Sequence, residues 1–498
     1  MRAPVLAPLA AALIACAGPS TLREPATRLP EEKPSSAASP IPTPAQPEVR
    51  QPEVPQLEPD AHLEAGRAAL RQKNGALAVG HLRACVAQQP ENVECLWQLG
   101  WAHSLLGEWD AVIERWERVK ALRPDHPEVA GRLADARAQR ELQLRMDEAA
   151  RRAPAALPAP ALREFSLRIR AVGDVMLGTD FPAGFLPPED GAEVLAGVQD
   201  WLRDADVTFV NLEGPLCDDP RPSDKCRRGG NCYAFRTPTR YVQYLVDAGV
   251  DLASTANNHS GDFGETCRRE TEAALDRAGI KWSGAPGSIA TLEARGFRVA
   301  LVAFHTSTAT NDVNDHPAAE ALIKAAAASH DLVVVSFHGG AEGARALHVP
   351  MGEERFYGEN RGDLRKFTHL AVDAGADLVI GHGPHVLRGM EIYRDRLITY
   401  SLGNFATYGR FNLTGAMGVG AVLEAILDGE GRFVSGRILP TRQMGEGVTE
   451  KDRAGTALKY VRMLSAEDFP ETGVMVDADG VVGVRQGAAA ANVPATAP

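Results

Sequence analysis

An α/β fold is predicted for the larger part of this chain, and three observations predict it. From Ser166 onward, strand-like segments alternate with segments of helical periodicity. Seven strand-like segments between Arg170 and Phe405 end in a polar residue of a kind that binds a metal or a phosphate. Ahead of them, from about Asp60 to Glu148, apolar residues recur at helical spacing, so an all-α region comes first.

The first sixteen residues read as an export signal. Arg2 opens a short positive start, and Val5 to Ala15 is apolar but too short to span a bilayer. The stretch ends Leu13-Ile14-Ala15-Cys16, which resembles the bacterial lipobox. That resemblance implies cleavage before Cys16, acylation of Cys16, and a membrane partner held through it. Ala17 in place of Asp resembles outer-membrane sorting, so the expected location is the cell envelope, exported and lipid-anchored, at the outer membrane. A plain secretory signal whose cleavage site contains a Cys is the alternative. Residues 17–59 are rich in Pro, Ala, Ser, Glu and Gln, with too few apolar anchors to fold, and read as a tether.

Residues 60–148 come next. Pro90 and Pro124 stand 34 residues apart, and Gly66, Ala78 and Leu82 precede Gly100, Val112 and Trp116 by the same interval. The segment resembles tetratricopeptide repeats, which implies helix pairs that approach through Gly66 and Gly100 and are filled by Trp109 and Trp116. Such arrays dock proteins, so an envelope protein partner is expected there. An unrelated helical spacer is the alternative.

Residues 149–165 are Pro/Ala-rich and read as a linker. The main domain is expected over 166–470. Its predicted strands are Leu167–Gly173, Val207–Asn211, Asp251–Ala256, Arg298–Phe304, Leu332–Phe337, Leu378–Gly381 and Leu397–Ser401. Its predicted helices are Ala192–Asp204, Thr239–Ala248, Thr266–Ala278, Ala318–Ala328 and Asn360–Ala374. Residues 471–498 are expected to be a mostly disordered tail. The chain of 498 residues carries a net charge of −12 with no long basic run, which argues against a nucleic-acid partner. Seven cysteines in an exported chain permit disulfides. Cys217, Cys226 and Cys232 share one loop, so a local bridge is plausible there, with a zinc ribbon as a weaker rival.

An open α/β sheet gathers functional groups at the carboxyl ends of its strands. Asp174 follows the first strand as a ligand or a helix cap. Asn211 and Glu213 flank Leu212 and share a face. Asn257, Asn258 and His259 follow the third strand: Asn258 offers an oxygen ligand, His259 a proton donor, and Asp262 a carboxylate to orient His259. His338 precedes two glycines, with Glu342 placed to orient it. His382 and His385 stand in Gly-His-Gly-Pro-His, the strongest pair. Arg388 is a candidate for an anionic substrate group, and Asn211, Asn257 and Asn404 for substrate contact. His305 lacks such a context and stays outside the ligand set. Asp, Glu, Asn and His in one crevice suit a divalent transition metal.

Together GDVMLG, NLEGPL, ANNHSGDFG, HGGAE, GHGPHVLRG and YSLGNF, over about Leu167 to Gly445, resemble the bacterial capsule-synthesis CapA family of poly-γ-glutamate capsule proteins. That family is similar to the calcineurin-like metallophosphoesterases. The resemblance implies an αββα sandwich with one or two ions (Mn, Fe or Zn) between two sheets. It also implies Asp174, Glu213, Asn258, His338, His382 and His385 as ligands and His259 as general acid. Met176 stands where the phosphoesterase pattern has a His, and Glu213 where it has a bridging Asp. The implied function is capsule or poly-γ-glutamate synthesis or export at the surface, with hydrolysis of a phosphoester or γ-glutamyl bond. The alternative is a non-catalytic scaffold that binds an anionic polymer.

Overall fold

The structure, a computed structural model, describes residues 54–484 apart from 163, 224 and 226–232. Cys16, Cys226 and Cys232 therefore lie outside the described residues, as do the expected signal and nearly all of the tether. Five helices come first: α1 (Pro59–Arg71), α2 (Gly75–Gln88), α3 (Val93–Leu105), α4 (Trp109–Leu122) and α5 (Val129–Arg151). Pro59 starts α1 where a missing N–H costs nothing. Asn74 caps α2 by accepting from Leu77 N, and Asn92 caps α3 by accepting from Glu94 N and Cys95 N. A Cβ added at Gly66 would lie 2.4 Å from Leu82 Cγ, and one at Gly100 2.1 Å from Trp116 Nε1. The two glycines therefore set how closely each helix pair packs. Trp116 is buried and donates from Nε1 to the Trp97 carbonyl at 3.2 Å, while Trp109 is only partly buried at the edge of that cluster. Cys85 and Cys95 join α2 to α3.

Beyond the helices, two sheets face each other. The larger runs in the order Met475–Val476, Val481–Gly483, Phe433–Met444, Val419–Asp428, Ser166–Met176, Val207–Leu212, Leu252–Ser254 and Lys281–Ser283. Asn404–Thr407 also pairs with its central strand, in parallel. The smaller runs Met390–Tyr393, Arg396–Thr399, Leu378–His382, Leu332–His338, Phe297–His305 and Ala290–Ala294.

Period-two alternation sorts the side chains into layers. Leu167, Ile169, Ala171, Val207 and Phe209 meet Val299, Leu301, Leu332, Val334, Leu378 and Ile380 in the core between the sheets. Val172, Val210 and Leu212 point the other way, onto Leu202, Leu245 and Leu275. Val302, Phe304, Val333, Val335 and Phe337 pack outward on Ile323, Phe367 and Ala371. The result is helices, sheet, sheet, helices. Each fully buried Val, Leu or Phe contributes about 1.5–3 kcal/mol, so this alternation is the main source of stability.

The helical region is built into this domain. Leu142 and Met146 of α5 join the core between the sheets, beside Leu458, Tyr460 and Val461 of the helix Thr456–Asp468. Lys459 Nζ donates to Asp147 Oδ1 at 2.8 Å, and Arg145 pairs with Glu467. The linker is also pinned: Leu157 N donates to Asp477 Oδ2 at 2.8 Å.

Two expectations need correction. The sheet continues to Gly483, past the expected boundary at 470. Asp477 Oδ1 accepts from Asp479 N and Val481 N, closing a tight turn that lets Val476 and Val482 bury. Residues from 485 lie outside the described part. Cys217 pairs with Cys267 on the helix Gly264–Ala278, not within its own loop. The loop and helix are tied there by Thr271 Oγ1, which accepts from Leu216 N at 2.9 Å. Among the described residues no helix is long and apolar enough to cross a membrane.

Candidate metal centre

The strand register makes the site. Asp174 stands opposite Asn211 on one neighbouring strand and opposite Asn404 on the other. On the facing sheet His338 stands between His305 and His382. Apart from Asn404, which opens its strand, these residues lie at or near the carboxyl ends of parallel strands, and all six are buried.

Asp174, Glu213 and His385 offer ligand atoms within 4.8 Å of one another. His385 Nδ1 donates to Asp174 Oδ2 and Asn404 Oδ1, each at 3.0 Å, which leaves Nε2 facing Glu213 Oε1 at 3.6 Å. His385 reaches this position because it adopts a left-handed φ of 58° after the Gly383-Pro384 turn. Asn211 Nδ2 donates to Asp174 Oδ1 at 2.9 Å and lies 3.2 Å from His338 Nδ1. His338 Nε2 is 3.8 Å from Glu213 Oε1. Among the described residues, both oxygens of Glu213, Oδ1 of Asn258 and Nε2 of His338 are buried without a hydrogen-bond partner. Leaving such groups unpaired costs roughly 1–3 kcal/mol each, more for a charge. The Asp174, Glu213 and His385 group, with the unpartnered His338 Nε2 3.8 Å from Glu213 and a further unpartnered amide oxygen on Asn258, is a donor set that fits a divalent transition metal.

The electrostatics fit the same picture. Burial, reinforced by Asp174 and Glu342 and only partly offset by His385, raises the Glu213 carboxyl well above its usual range. Burial would lower the His385 imidazole, but Glu213, Asp174 and Glu342 overcome it and push it up to about 10. For Asp174 burial is the largest influence and acts upward, yet the hydrogen bond and charge of His385 outweigh it and hold the carboxyl below its ordinary value. Burial, with His305 and Arg361 adding to it, keeps His338 well below the usual imidazole range.

A second unit adjoins this cluster. His259 Nδ1 donates to Asp262 Oδ2 at 2.7 Å, and its Nε2 lies 3.9 Å from Glu213 Oε1. Asp262 also accepts from Phe235 N at 2.8 Å and pairs with Lys225, whose Nζ donates to the Asn258 carbonyl at 3.1 Å. Burial holds His259 low, against the pull of Asp262. Phe235 covers the His259 ring at 4.2 Å, and Phe411 meets the His385 ring at 5.2 Å.

Several sequence expectations land elsewhere. His382 lies outside the three-residue group: its Nε2 donates to the Val172 carbonyl at 2.9 Å, because the strand end turns its ring between the sheets, while its Nδ1 is buried without a partner. Arg388 is fully buried and forks onto Glu354 at 2.8 and 2.7 Å, with Nε donating to the Ala346 carbonyl, so it has no surface for substrate. The amides expected to touch substrate are spent on the protein. Asn211 serves Asp174, and Asn404 braces His385 and donates to the Met417 carbonyl. Asn257 donates to the Leu212 carbonyl and accepts from His259 N. Glu342 turns to His385 Nε2, at 4.0 Å, and not to His338. His305 Nδ1 donates to the His338 backbone carbonyl at 2.8 Å, and burial pushes its imidazole down to about 3. Lys225, Phe235, Arg361 and Phe411 adjoin the cluster without having been anticipated. All four sit in loops that carry no periodic signal.

With this geometry in view, similarity to known proteins becomes informative. Residues 168–408 match the bacterial capsule synthesis protein family PGA_cap. Every residue of the cluster, from Asp174 to Asn404, falls inside the PGA_cap match. The chain is 27% identical over 278 residues to the capsule biosynthesis protein CapA of Bacillus anthracis, covering 51% of this chain and 63% of that protein. It is 26% identical to the PGA biosynthesis protein CapA of Bacillus subtilis, over 47% of this chain and 61% of that one. A probable polyglutamine synthesis accessory protein of Mycobacterium tuberculosis is 29% identical over 49% of this chain and 67% of its own. The chain thus spans less than two thirds of the length of the two CapA proteins. Among solved structures, a 5'-nucleotidase precursor from Thermus thermophilus aligns over 59% of this chain and 58% of its own, at 12% identity and a TM-score of 0.30.

Proposed function

We propose that this protein is a surface component of capsule or poly-γ-glutamate synthesis whose sandwich is metallophosphoesterase-like and hydrolyses a phosphoester or γ-glutamyl bond. The observation that carries the reading is the pair of unpartnered Glu213 oxygens, buried against Asp174 and His385 Nε2. Asp174, Glu213, Asn258, His338 and His385 would hold one divalent ion (Mn, Fe or Zn), with His382 as an outlying sixth candidate. Such a cation supplies Lewis acidity at the bond to be broken and a water more easily deprotonated near neutral pH. The chain's own part is to orient and to move a proton. His259, with its Nδ1–H fixed on Asp262, presents a bare Nε2 toward the cluster, where it would take the proton of the attacking water and then pass it to the leaving group. Phe235 and Phe411 screen the two imidazoles from water. The test is turnover of an aryl phosphate and of a γ-glutamyl anilide by Mn-loaded protein. Activity no higher than that of the Asp174→Ala, His385→Ala double variant would refute the catalytic reading.

A second reading is a non-catalytic scaffold that binds an anionic polymer. It is favoured by the word "accessory" in the name of the mycobacterial relative and by α5, which ties the helical region into the sandwich core. Cation-dependent polymer binding without turnover would select it. In either case we assign α1–α5 to tetratricopeptide-like repeats that dock an envelope protein, and Cys16 to a lipid anchor, at the outer membrane.

A further inference from the structure

The sequence offered Arg388 as the group that receives a substrate anion, and Glu354 consumes it. A different guanidinium stands beside the cluster. Arg361 is 1% exposed, and its charge acts on Glu213, His338 and His305. Its position is fixed by the backbone: Arg361 N donates to the Glu354 carbonyl, its own carbonyl accepts from Gly340 N at 2.8 Å, and Nε donates to the Gly340 carbonyl at 3.0 Å. One terminal nitrogen is left over. Nη2 is buried and, among the described residues, makes no well-formed hydrogen bond, although Glu342 Oε1 lies 3.1 Å away as an ion pair. The other terminal nitrogen lies 3.9 Å from Glu359.

Glu342 differs from the other carboxylates here. Asp174, Glu213 and Asp262 have side chains with no exposed surface, whereas the Glu342 side chain is 18% exposed. It bridges Arg361 and His385, with Oε1 toward the first and Oε2 4.0 Å from Nε2 of the second. A guanidinium stays charged at any working pH and pairs best with a planar or tetrahedral oxyanion through two nitrogens at once. Here it has a single-point, poorly directed partner that reaches solvent.

We propose that Arg361 is the oxyanion-binding residue of this site and that Glu342 is its placeholder, displaced when a ligand phosphate or carboxylate arrives. The proposal rests on the cation-centre reading above and names the substrate group held beside it. Glu342 occupies Arg361 in the free protein, keeping a buried cation paired. An incoming oxyanion takes Nη2, and the Glu342 carboxylate turns outward to water.

The test uses the full chain and two probes, inorganic phosphate and glutarate, titrated by calorimetry with and without Mn²⁺. Arg361→Gln weakens oxyanion binding tenfold or more, Arg361→Lys weakens it less, and Glu342→Gln strengthens it severalfold because the competing charge is gone. The opposite signs at the two positions separate displacement from a merely structural ion pair, in which both changes weaken binding. Thermal melting of each variant confirms that it is folded. Phosphate binding without glutarate binding assigns the site to phosphoesters, and the reverse assigns it to glutamyl carboxylates. Weaker binding in Glu342→Gln, or an unchanged affinity in folded Arg361→Gln and Arg361→Lys, overturns the proposal, as does failure of the native protein to bind either probe. Mn²⁺ affinity is read separately. If Mn²⁺ does not bind, the cation reading fails, while the titrations without metal still decide the role of Arg361.

Discussion

His385 Nδ1 lies 3.0 Å from Asp174 Oδ2 although 211 residues separate them. Two independent placements produce that contact. Parallel pairing sets Asp174 between Asn211 and Asn404, and the left-handed backbone at His385 turns its ring off the end of the facing sheet. The centre is therefore a product of register, and its properties follow from how tightly two acids and one imidazole are confined.

Cation binding should expel protons. Free of metal, and against burial, Glu213 and Asp174 push the His385 imidazole up to about 10, so at neutral pH it holds a proton that a ligand must lose, and the raised Glu213 carboxyl acts in the same direction. Mn²⁺ affinity should rise with pH. Calorimetry in two buffers of different ionisation enthalpy should show release of about one proton or more per ion. Equal heats in the two buffers would contradict the proposed ligand set.

Metal-free protein should lose stability as pH rises. A group whose folded pKa exceeds its unfolded value stabilises below the unfolded value and stops doing so above the folded one. His385 falls in this class between about 6.5 and about 10. Glu213 acts in the same direction from about 4.5 upward. Asp174, held low, acts oppositely but only below about 3.8. In chelator, the melting temperature should fall from pH 6.5 toward 10, at no more than ~1.4 kcal/mol per pH unit for one group. His385→Gln should flatten that slope, and a slope unchanged in this variant would exclude His385 as its source.

Gly100→Ala should loosen the helical region. The new methyl would sit 2.1 Å from Trp116 Nε1, inside a packed seam. Overpacking of this kind costs typically 1–3 kcal/mol. Melting followed by Trp fluorescence should report the loss, while Mn²⁺ affinity stays within about twofold.

Reducing Cys217–Cys267 should cost about 2–5 kcal/mol, since the bridge closes a long loop, with 50 residues between its ends in sequence. The helix Gly264–Ala278 begins two residues after Asp262, so the His259–Asp262 pair loosens with it. Hydrogen exchange should increase at Asn258 to Cys267 under dithiothreitol and stay unchanged at Leu332–His338.

Much of this site was legible because strand ends announce themselves. Asp174, Glu213, His338 and His385 each follow an apolar run, and an α/β sheet collects such tips. The layered fold followed from the alternation of strands and helices, although Ala192–Asp204, expected as one helix, forms a 3-10 turn and the short helix Gln199–Arg203. What escaped has common causes. Arg361 and Arg388 look equivalent in sequence, and only the position of Glu354 decides which is consumed. The Asn211, Asn257 and Asn404 amides resemble substrate contacts until burial shows them bonded to the backbone or to the centre itself. Strands of two or three residues, such as Met475–Val476, Val481–Gly483 and Lys281–Ser283, are too short to show a period. Cys267 lies on a helix remote in sequence from its partner, where spacing says nothing.

Leu142 and Met146 tie the last leading helix into the same core cluster as the strands of the sandwich, beside the helix Thr456–Asp468. A flexible hinge would let the helices wander over the face that carries the candidate centre. This joint works instead like a jig: if the helices dock a partner as proposed, that partner would meet the Asp174–Glu213–His385 cleft at a set distance and bearing, so geometry at one end would dictate what is presented at the other.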